Sequence, residues 1–285
     1  MRSRWRCRAY VILLLACASA ACAQEKVSAP RADGAQVPLL VYEPARANGC
    51  PPLVLLSPGA GGDERGLRYL GEALSAEDWR AISIGHRESG PAALRRDIAQ
   101  MHGIHAGLEK MVTDPALYRA RFMDIAAARQ WAQSRCRTPF TVLVGHSMGA
   151  HTVQLEAGAR NKAGLKPDGG FDAYIALSPS GPDAVFAADS GAGIRPPILM
   201  ITGTRDDGLG GSYRWRMRAF DALPTGHCDR LAIIDGATHM NLAGAFFAGK
   251  TKAAVVSLIE SWLDGVRAGR CAPPPRLKGV KVTTK

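Results

Sequence analysis

The chain contains the run Thr141-Val142-Leu143-Val144-Gly145-His146-Ser147-Met148-Gly149-Ala150, in which an apolar strand pattern leads through a tight turn into helix-forming sequence. A serine between two glycines at such a turn is held in a strained backbone conformation, and the glycines let strand and helix cross closely. The serine hydroxyl is thereby presented above the edge of a sheet. We therefore predict that Ser147 is a nucleophile, and we expect the adjacent His146 to be a hydrogen-bonded structural residue.

A second glycine-rich bend follows the apolar run 52–56 and reads Ser57-Pro58-Gly59-Ala60-Gly61-Gly62. Attack on a carbonyl carbon requires preorganised donors for the oxyanion that develops, and amides in a bend without bulky side chains can approach closely. We expect the amides of Ala60 and of Met148, the residue after the predicted nucleophile, to be these donors. A phosphate-binding loop is the alternative, but the Gly-Lys-Ser/Thr ending of that motif is missing from the sequence.

An acid and a histidine follow the serine, each after an apolar run. The run 197–203 leads to Asp206 and Asp207, and the run 230–235 leads to a loop with His239. A histidine takes the nucleophile's proton, and a carboxylate orients the imidazole and stabilises its cation. Serine, acid and histidine is also the chain order in which this strand–turn–helix motif is completed. We predict His239 as the base and Asp206 as the acid, with Asp207 as the alternative.

Short apolar runs alternate with helical stretches along the chain. Such alternation predicts an α/β fold with a mostly parallel central sheet and helices on both faces. We place one catalytic domain at residues 24–270. The predicted strands are 37–43, 52–57, 81–85, 141–145, 173–178, 197–203 and 230–235, and the predicted helices are 65–76, 117–134, 149–159, 213–222 and 248–267.

Residues 87–113 fit this pattern least clearly. We interpret them as an amphipathic helix packed on the sheet, and a segment that flanks the substrate pocket is the alternative. His102 and His105 lie three apart there, but no third ligand accompanies them in an acidic cluster. We therefore expect no metal site. His86, at the end of the run 81–85, is expected near the active site.

The composition is that of a globular protein, with 47% hydrophobic and 21% charged residues among 285. The formal charge of +11 falls to +7 without residues 1–23, which hold four arginines and no acid. Part of the remaining excess lies in residues 271–285, where Pro273-Pro274-Pro275 favours a basic, flexible tail. We expect no nucleic-acid binding from this charge.

The N-terminus has the features of an export signal. Four arginines between Arg2 and Arg8 precede the apolar run 11–15 and a small-residue cleavage pattern at Ala21-Cys22-Ala23. A lipoprotein-type site at Leu14-Leu15-Ala16-Cys17 is the alternative. The apolar run is shorter than the ~20 residues that a membrane span needs, so we expect residues 1–23 to be a cleaved signal peptide and the protein to be exported.

Four cysteines follow the predicted cleavage site, an even number in a chain directed to an oxidising compartment, so we expect two disulfides. No C-x-x-C spacing suggests zinc or redox chemistry. The cysteines are Cys50, Cys136, Cys228 and Cys271.

These motifs together resemble the α/β-hydrolase superfamily, in particular the group of predicted dienelactone hydrolases and platelet-activating-factor acetylhydrolase-like serine esterases. The resemblance spans roughly residues 40–265. It is carried by 57–62, 145–150, Thr202-Gly203-Thr204-Arg205-Asp206-Asp207 and Gly236-Ala237-Thr238-His239-Met240. True dienelactone hydrolases use cysteine, whereas this chain has serine. Secreted polyesterases often have an aromatic residue where this chain has Ala60.

The resemblance implies a serine hydrolase that cleaves small-molecule carboxylic esters through an acyl-enzyme intermediate, without a cofactor. A peptidase of the same fold and a noncatalytic binding protein are the alternatives. The family's strand order also implies the disulfide pairs Cys50–Cys136 and Cys228–Cys271, because the strands near 52 and 141 become neighbours and the last helix returns to the start of the last predicted strand.

Overall fold

The computed structural model describes residues 24–44, 46, 49–209 and 211–285, so the predicted signal peptide, 1–23, lies outside the described residues. The strands are β1 (Gln24–Pro30), β2 (Gln36–Tyr42), β3 (Leu53–Ser57), β4 (Arg80–Ile84), β5 (Thr141–His146), β6 (Ala173–Leu177), β7 (Ile198–Arg205), β8 (Arg230–Thr238) and β9 (Val280–Thr284). The helices are α1 (Arg68–Ala76), α2 (Pro91–Gln100), α3 (Ile104–Thr113), α4 (Pro115–Arg135), α5 (Met148–Glu156), α6 (Tyr213–Asp221), α7 (His239–Leu242) and α8 (Gly249–Arg267).

The strands form a single sheet in the order β1-β2-β4-β3-β5-β6-β7-β8-β9. The six strands from β4 to β8 in this order run parallel, while β1, β2 and β9 pair antiparallel at the two ends. In a parallel sheet, the carboxyl ends of all strands meet at one edge. The loops after β3, β5, β7 and β8 therefore converge there.

Helices cover both faces of the sheet, as the sequence pattern predicts. Along β3 the side chains alternate between two cores: Leu53 and Leu55 pack into one, and Val54 and Leu56 into the other. The first core is shared with α4 and α5, and the second with α1 and α8. Because β3, β5 and β6 are buried along their whole length, they have continuous apolar runs rather than alternating ones.

The chain end departs from the sequence prediction. We expected residues 271–285 to be a flexible tail, but Val280–Thr284 forms β9, which pairs antiparallel with β8 from Ile234↔Val280 to Arg230↔Thr284. Leu277, Val280 and Val282 pack against the second core. The expectation was wrong for this strand. Val280 and Val282 alternate with polar residues as in a strand, but the prediction was based on the positive charge and the prolines of the segment.

Two disulfides tie the starts of strands, at the edge of the sheet opposite the converging loops. Cys50 and Cys136 precede β3 and β5, which are neighbours, and their Cα atoms lie 5.6 Å apart. Cys228 precedes β8 and joins Cys271, which follows α8, across 5.1 Å. These are the pairs that the family resemblance implies. Across the described ranges, no helix is both long and apolar enough to cross a bilayer.

Candidate active site

The turn after β5 places Ser147 at the carboxyl edge of the sheet. Its φ of 56° and ψ of −121° lie outside the regions that L-residues ordinarily adopt. A hydrogen bond from the Ser147 amide to the Leu177 carbonyl oxygen, 3.0 Å long, holds the turn to β6. A Cβ atom at Gly145 would collide with the backbone of Gly149, and one at Gly149 with the carbonyl of Ser57. The glycines on either side of the serine therefore permit the strained turn that the sequence predicts.

The bend after β3 approaches this serine closely. A Cβ atom added to Gly59 would lie 3.2 Å from the Cβ atom of Ser147, so only a residue without a side chain fits comfortably between the two loops. Within the described part of the chain, neither the Ala60 amide nor the Met148 amide donates a hydrogen bond. Ala60 lines the cavity, whereas Met148, which follows Ser147 in the sequence, is fully buried and does not line it.

Asp206 and His239 meet beside this bend. The Nδ1 atom of His239 lies 2.9 Å from Oδ1 of Asp206, which is fully buried, and the Thr202 hydroxyl donates to Oδ2 across 2.8 Å. Burial raises the pKa of Asp206, but the hydrogen bond from His239 and the charge of Arg216 outweigh it, so this pKa is lowered overall. Asp207, the alternative acid, is exposed. Of the two candidates, the structure brings Asp206 to the histidine.

Arg216 of α6 is buried and contacts both Asp206 and His239. This contact was not predicted from the sequence. The Nε atom of Arg216 donates to the Asp206 carbonyl oxygen at 2.9 Å and lies 3.2 Å from Oδ2, while Nη2 lies 3.3 Å from Nδ1 of His239. The ionised Asp206 carboxylate can only accept, so Nδ1 carries the proton and donates it to Oδ1, and the longer contact from Nη2 of Arg216 is not a hydrogen bond to Nδ1. This tautomer leaves the lone pair of His239 on Nε2. Arg216 precedes the buried Ala219 and Phe220 by three and four residues, so its helix position alone could have indicated burial.

Ser147 and His239 line one cavity of about 770 Å³ at the carboxyl edge of the sheet. Over the ranges that the structure describes, the Ser147 hydroxyl forms no hydrogen bond, including none to the imidazole of His239. The two side chains thus line the same cavity but are not hydrogen-bonded to each other in the described structure.

His146 packs against His239, which begins the short helix α7 instead of lying in an irregular loop as expected. His146 is buried, its Nε2–H donates to the His239 carbonyl oxygen at 3.0 Å, and the two imidazole rings lie 4.7 Å apart. Burial, together with the nearby His239, lowers the pKa of His146 to about 3, so it is neutral at ordinary pH. It is the buried, hydrogen-bonded residue that the sequence predicts.

A buried polar network lies beneath the Gly59–Ala60 bend. His86 accepts a hydrogen bond from the Ser57 hydroxyl at Nε2, 2.9 Å, and donates from Nδ1 to Asp124, 2.8 Å, which in turn pairs with Arg31. Burial lowers the pKa of His86 to about 4, which fixes this neutral arrangement. His86 was expected near the site, and it supports the bend from below. Although serine, histidine and aspartate also meet here, all three are buried and none of them lines the cavity of Ser147.

Arg121 of α4 links this network to the bend itself. Its guanidinium donates to the Pro58 carbonyl oxygen at 2.8 Å, to the Gly59 carbonyl oxygen at 3.4 Å and to the Ser89 hydroxyl at 2.9 Å. Burial lowers the pKa of Arg121 to about 10, which leaves it charged. This position of Arg121 could not be predicted from the sequence, because an arginine in the middle of a helix is usually solvated.

The segment 87–113 forms two helices, α2 and α3, rather than the single one expected. Leu94, Leu108 and Val112 from these helices line the cavity, so the segment both packs on the protein and flanks the pocket. His102 and His105 are exposed, and His105 lies 3.8 Å from Glu109. Among the described residues, no three His, Cys, Asp or Glu side chains gather as a metal would require.

Comparisons with known proteins bear on the fold. No protein-family model matches the chain, and no curated protein matches it. Among solved structures, a candidate dienelactone hydrolase from Klebsiella pneumoniae subsp. pneumoniae MGH 78578 is similar, with a TM-score of 0.63 and 18% identity, over 86% of this chain and 98% of the other. An esterase from Pyrococcus furiosus is similar with a TM-score of 0.57 and 14% identity, over 85% and 93% of the two chains. Together with the sheet order, these likenesses show that the chain has the α/β-hydrolase fold.

Proposed function

We propose that the chain is an exported serine hydrolase that cleaves small-molecule carboxylic esters, with Ser147 as nucleophile, His239 as base and Asp206 as the orienting acid. The observation that carries the proposal is the buried Asp206–His239 pair, 2.9 Å apart, on the wall of a cavity that a strained serine turn also lines. The two named relatives, an esterase and a candidate dienelactone hydrolase, support the same class of reaction.

In this mechanism, Oγ of Ser147 attacks the ester carbonyl carbon while Nε2 of His239 takes the hydroxyl proton. The amides of Ala60 and Met148 donate to the oxyanion, and each such donor typically contributes about 3 kcal/mol to the transition state. The imidazolium then protonates the leaving alcohol. A water molecule, activated by the same imidazole, attacks the carbonyl carbon of the acyl-enzyme and releases the acid.

The separation of Ser147 from His239 requires one adjustment. Catalytic hydrogen bonds are often long in free enzymes and tighten when a substrate is bound. Because Asp206 holds Nδ1 of His239, the movement falls to Ser147, which lines the cavity, and we expect rotation about its Cα–Cβ bond to turn the hydroxyl toward Nε2. Asp206 keeps Nδ1 fixed, so the lone pair on Nε2 is retained during this movement.

Fluorophosphonate labelling tests the nucleophile directly. We expect the probe to label the wild type once, and Ser147→Ala to abolish both the label and p-nitrophenyl ester turnover. Ser134→Ala is the matched control, because Ser134 is an exposed serine in the last turn of α4. It should retain both. Ester turnover that is unchanged by Ser147→Ala would refute the proposed function.

Export is supported by the two disulfides, which persist in oxidising compartments. Mass spectrometry of the protein recovered from the periplasm or medium should give a mature chain that begins at Gln24. A chain that retains residues 1–23 in the cytoplasm would contradict export and leave the proposed chemistry untouched.

A further inference from the structure

His151 lies one helical turn after the predicted nucleophile and takes no part in the mechanism above. Residues four apart on a helix share a face, with Cβ atoms ~5–6 Å apart. His151 is only 7% exposed, yet it lines the same cavity as Ser147. A buried polar side chain so close to the reacting atoms requires a partner.

The hydrogen bonds around Tyr118 fix the tautomer of His151. The Tyr118 hydroxyl lies 2.7 Å from the Val112 carbonyl oxygen and 3.0 Å from Nδ1 of His151. A carbonyl oxygen can only accept, so the single hydroxyl proton goes to Val112. The Nδ1 atom must then donate its proton to the Tyr118 oxygen. The Nε2 atom of a neutral imidazole in this tautomer is an acceptor.

This acceptor is held in place and has no partner in the described parts of the chain. The His151 ring lies nearly parallel to the Tyr118 ring, and it meets the Phe186 ring edge to face at 5.7 Å between centroids. Burial lowers the pKa of His151 to about 4, so the imidazole is neutral at ordinary pH. Nε2 is not one of the fully buried unpaired atoms among the described residues, so it is reachable from the cavity that His151 lines. A ligand group that donates to it would therefore replace solvent there, and such a hydrogen bond typically contributes ~0.5–1.5 kcal/mol.

We propose that Nε2 of His151 accepts a hydrogen bond from a hydroxyl group of the substrate, so that the substrate class is a hydroxylated ester. This inference rests on the proposed function of the same site. Because Ser147 directly precedes α5 and both residues line one cavity, we expect the substrate hydroxyl to lie near the scissile carbonyl. The wall includes the apolar Leu108, Val112 and Trp215, and also Asp183. The Asp183 carboxylate already accepts from the Ser180 hydroxyl and from the amides of Val185 and Phe186. A neutral hydroxyl therefore fits better than an ammonium group, whose burial is costly without a free counter-charge.

Two matched pairs of esters test the inference and distinguish the acyl side from the alcohol side. Ethyl 3-hydroxybutanoate is compared with ethyl 3-methylbutanoate, and 2-hydroxyethyl butanoate with propyl butanoate, each by kcat/KM in a pH-stat. We expect the wild type to prefer the hydroxylated member of one pair roughly tenfold, as one well-placed hydrogen bond provides.

His151→Phe keeps an aromatic ring against Tyr118 and Phe186 but removes the acceptor, so the preference should fall to about one. Tyr118→Phe is a second variant, which retains His151 but removes the oxygen that accepts the Nδ1 proton, so the imidazole is no longer held in one tautomer and orientation. It should reduce the preference as well. Fluorophosphonate labelling at Ser147 and the unfolding midpoint report whether each variant is folded.

The outcomes distinguish failure of the His151 inference from failure of the proposed function. A wild type that hydrolyses the plain esters but prefers neither hydroxylated one overturns the inference and leaves the proposed function standing. A preference that survives in a folded His151→Phe also overturns it. A wild type that neither turns over any of the four esters nor takes the label contradicts the proposed function itself.

Discussion

Two adjacent aspartates at the end of β7 have opposite surroundings, and this difference assigns their roles. Asp206 is fully buried and contacts Thr202, Arg216 and His239, whereas Asp207 is exposed. Asp206→Asn would let the side-chain amide donate toward Nδ1 and favour the wrong imidazole tautomer. We expect kcat to fall by roughly 10³–10⁴, as in other triads.

The matched variant Asp207→Asn should change kcat less than about threefold, because its side chain is solvated. Steady-state kinetics with one p-nitrophenyl ester compares the two. Equal losses in both variants would contradict this assignment.

The candidate nucleophile, base and acid could be predicted because each follows an apolar run and the chain order restricts the choice. The contacts of Arg216, Arg121 and His151 could not be predicted from the sequence. Each lies on a helix, and its function depends on which carbonyl, ring or carboxylate a distant segment brings next to it. The choice between Asp206 and Asp207 needed the structure for the same reason, since sequence does not give burial at a strand end.

Glu156, the last residue of α5, should make stability depend on pH. Burial raises the pKa of its carboxyl group from the ordinary 4.5 to about 7, although the Gly169 amide, which donates to it at 2.9 Å, opposes the rise. With the folded value above the unfolded one, its contribution to stability is complete below pH 4.5 and is lost as the pH rises through 7.

Glu156→Gln retains the acceptor for Gly169 without a charge. We therefore expect the variant to be more stable than the wild type at pH 8, by up to ~3 kcal/mol from the size of the shift, and the gain to vanish near pH 4.5. Urea unfolding at both pH values measures it. A gain of equal size at pH 8 and pH 4.5 would exclude titration of Glu156 as its cause.

Among the elements, α4 acts on the site through the bend after β3. Arg121 donates to the carbonyls of Pro58 and Gly59, and the amide of Ala60 follows directly. Arg121→Met should free these carbonyls and loosen the bend, so we expect kcat to fall roughly 10–100-fold, within the value of one oxyanion donor. KM should change less, because the apolar cavity walls remain. Arg121→Lys should retain part of the activity.

Arg129 provides the matched control for this positioning role. It lies on the same helix and also donates to two loop carbonyls, those of Gly169 and Gly170, which do not line the cavity. Arg129→Met should therefore leave kcat within about twofold of the wild type. If both variants lost kcat in proportion to a lower unfolding midpoint, Arg121 would be structural only.

At the level of elements, the sequence predicted the buried parallel strands well because each is a continuous apolar run. It missed β1 and β9, which lie at the two ends of the sheet. A strand paired on one side needs few apolar residues, and β9 has only two, Val280 and Val282, which are separated by Lys281 and followed by two threonines. The break between α2 and α3 was also missed, since the amphipathic period continues across it.

Over the whole molecule, the sheet separates the residues of the proposed active site from the disulfides. The site lies after the carboxyl ends of the strands, while both disulfides lie at their starts. The six residues of β5 alone place ~20 Å between Cys136 and Ser147. Stability and activity should therefore respond independently to loss of a disulfide.

The disulfides test this separation. Cys50–Cys136 joins residues 86 apart and Cys228–Cys271 residues 43 apart, so the loop-entropy model assigns them about 4.5 and about 4 kcal/mol. We expect Cys50→Ala/Cys136→Ala to lose stability of this order in urea unfolding, and Cys228→Ala/Cys271→Ala slightly less. At 25 °C, each folded variant should keep kcat/KM within about twofold, because neither bond touches the cavity. A folded variant with its ester turnover abolished would show that the two edges of the sheet are coupled, because the lost bond would then have acted on the site through the strands themselves.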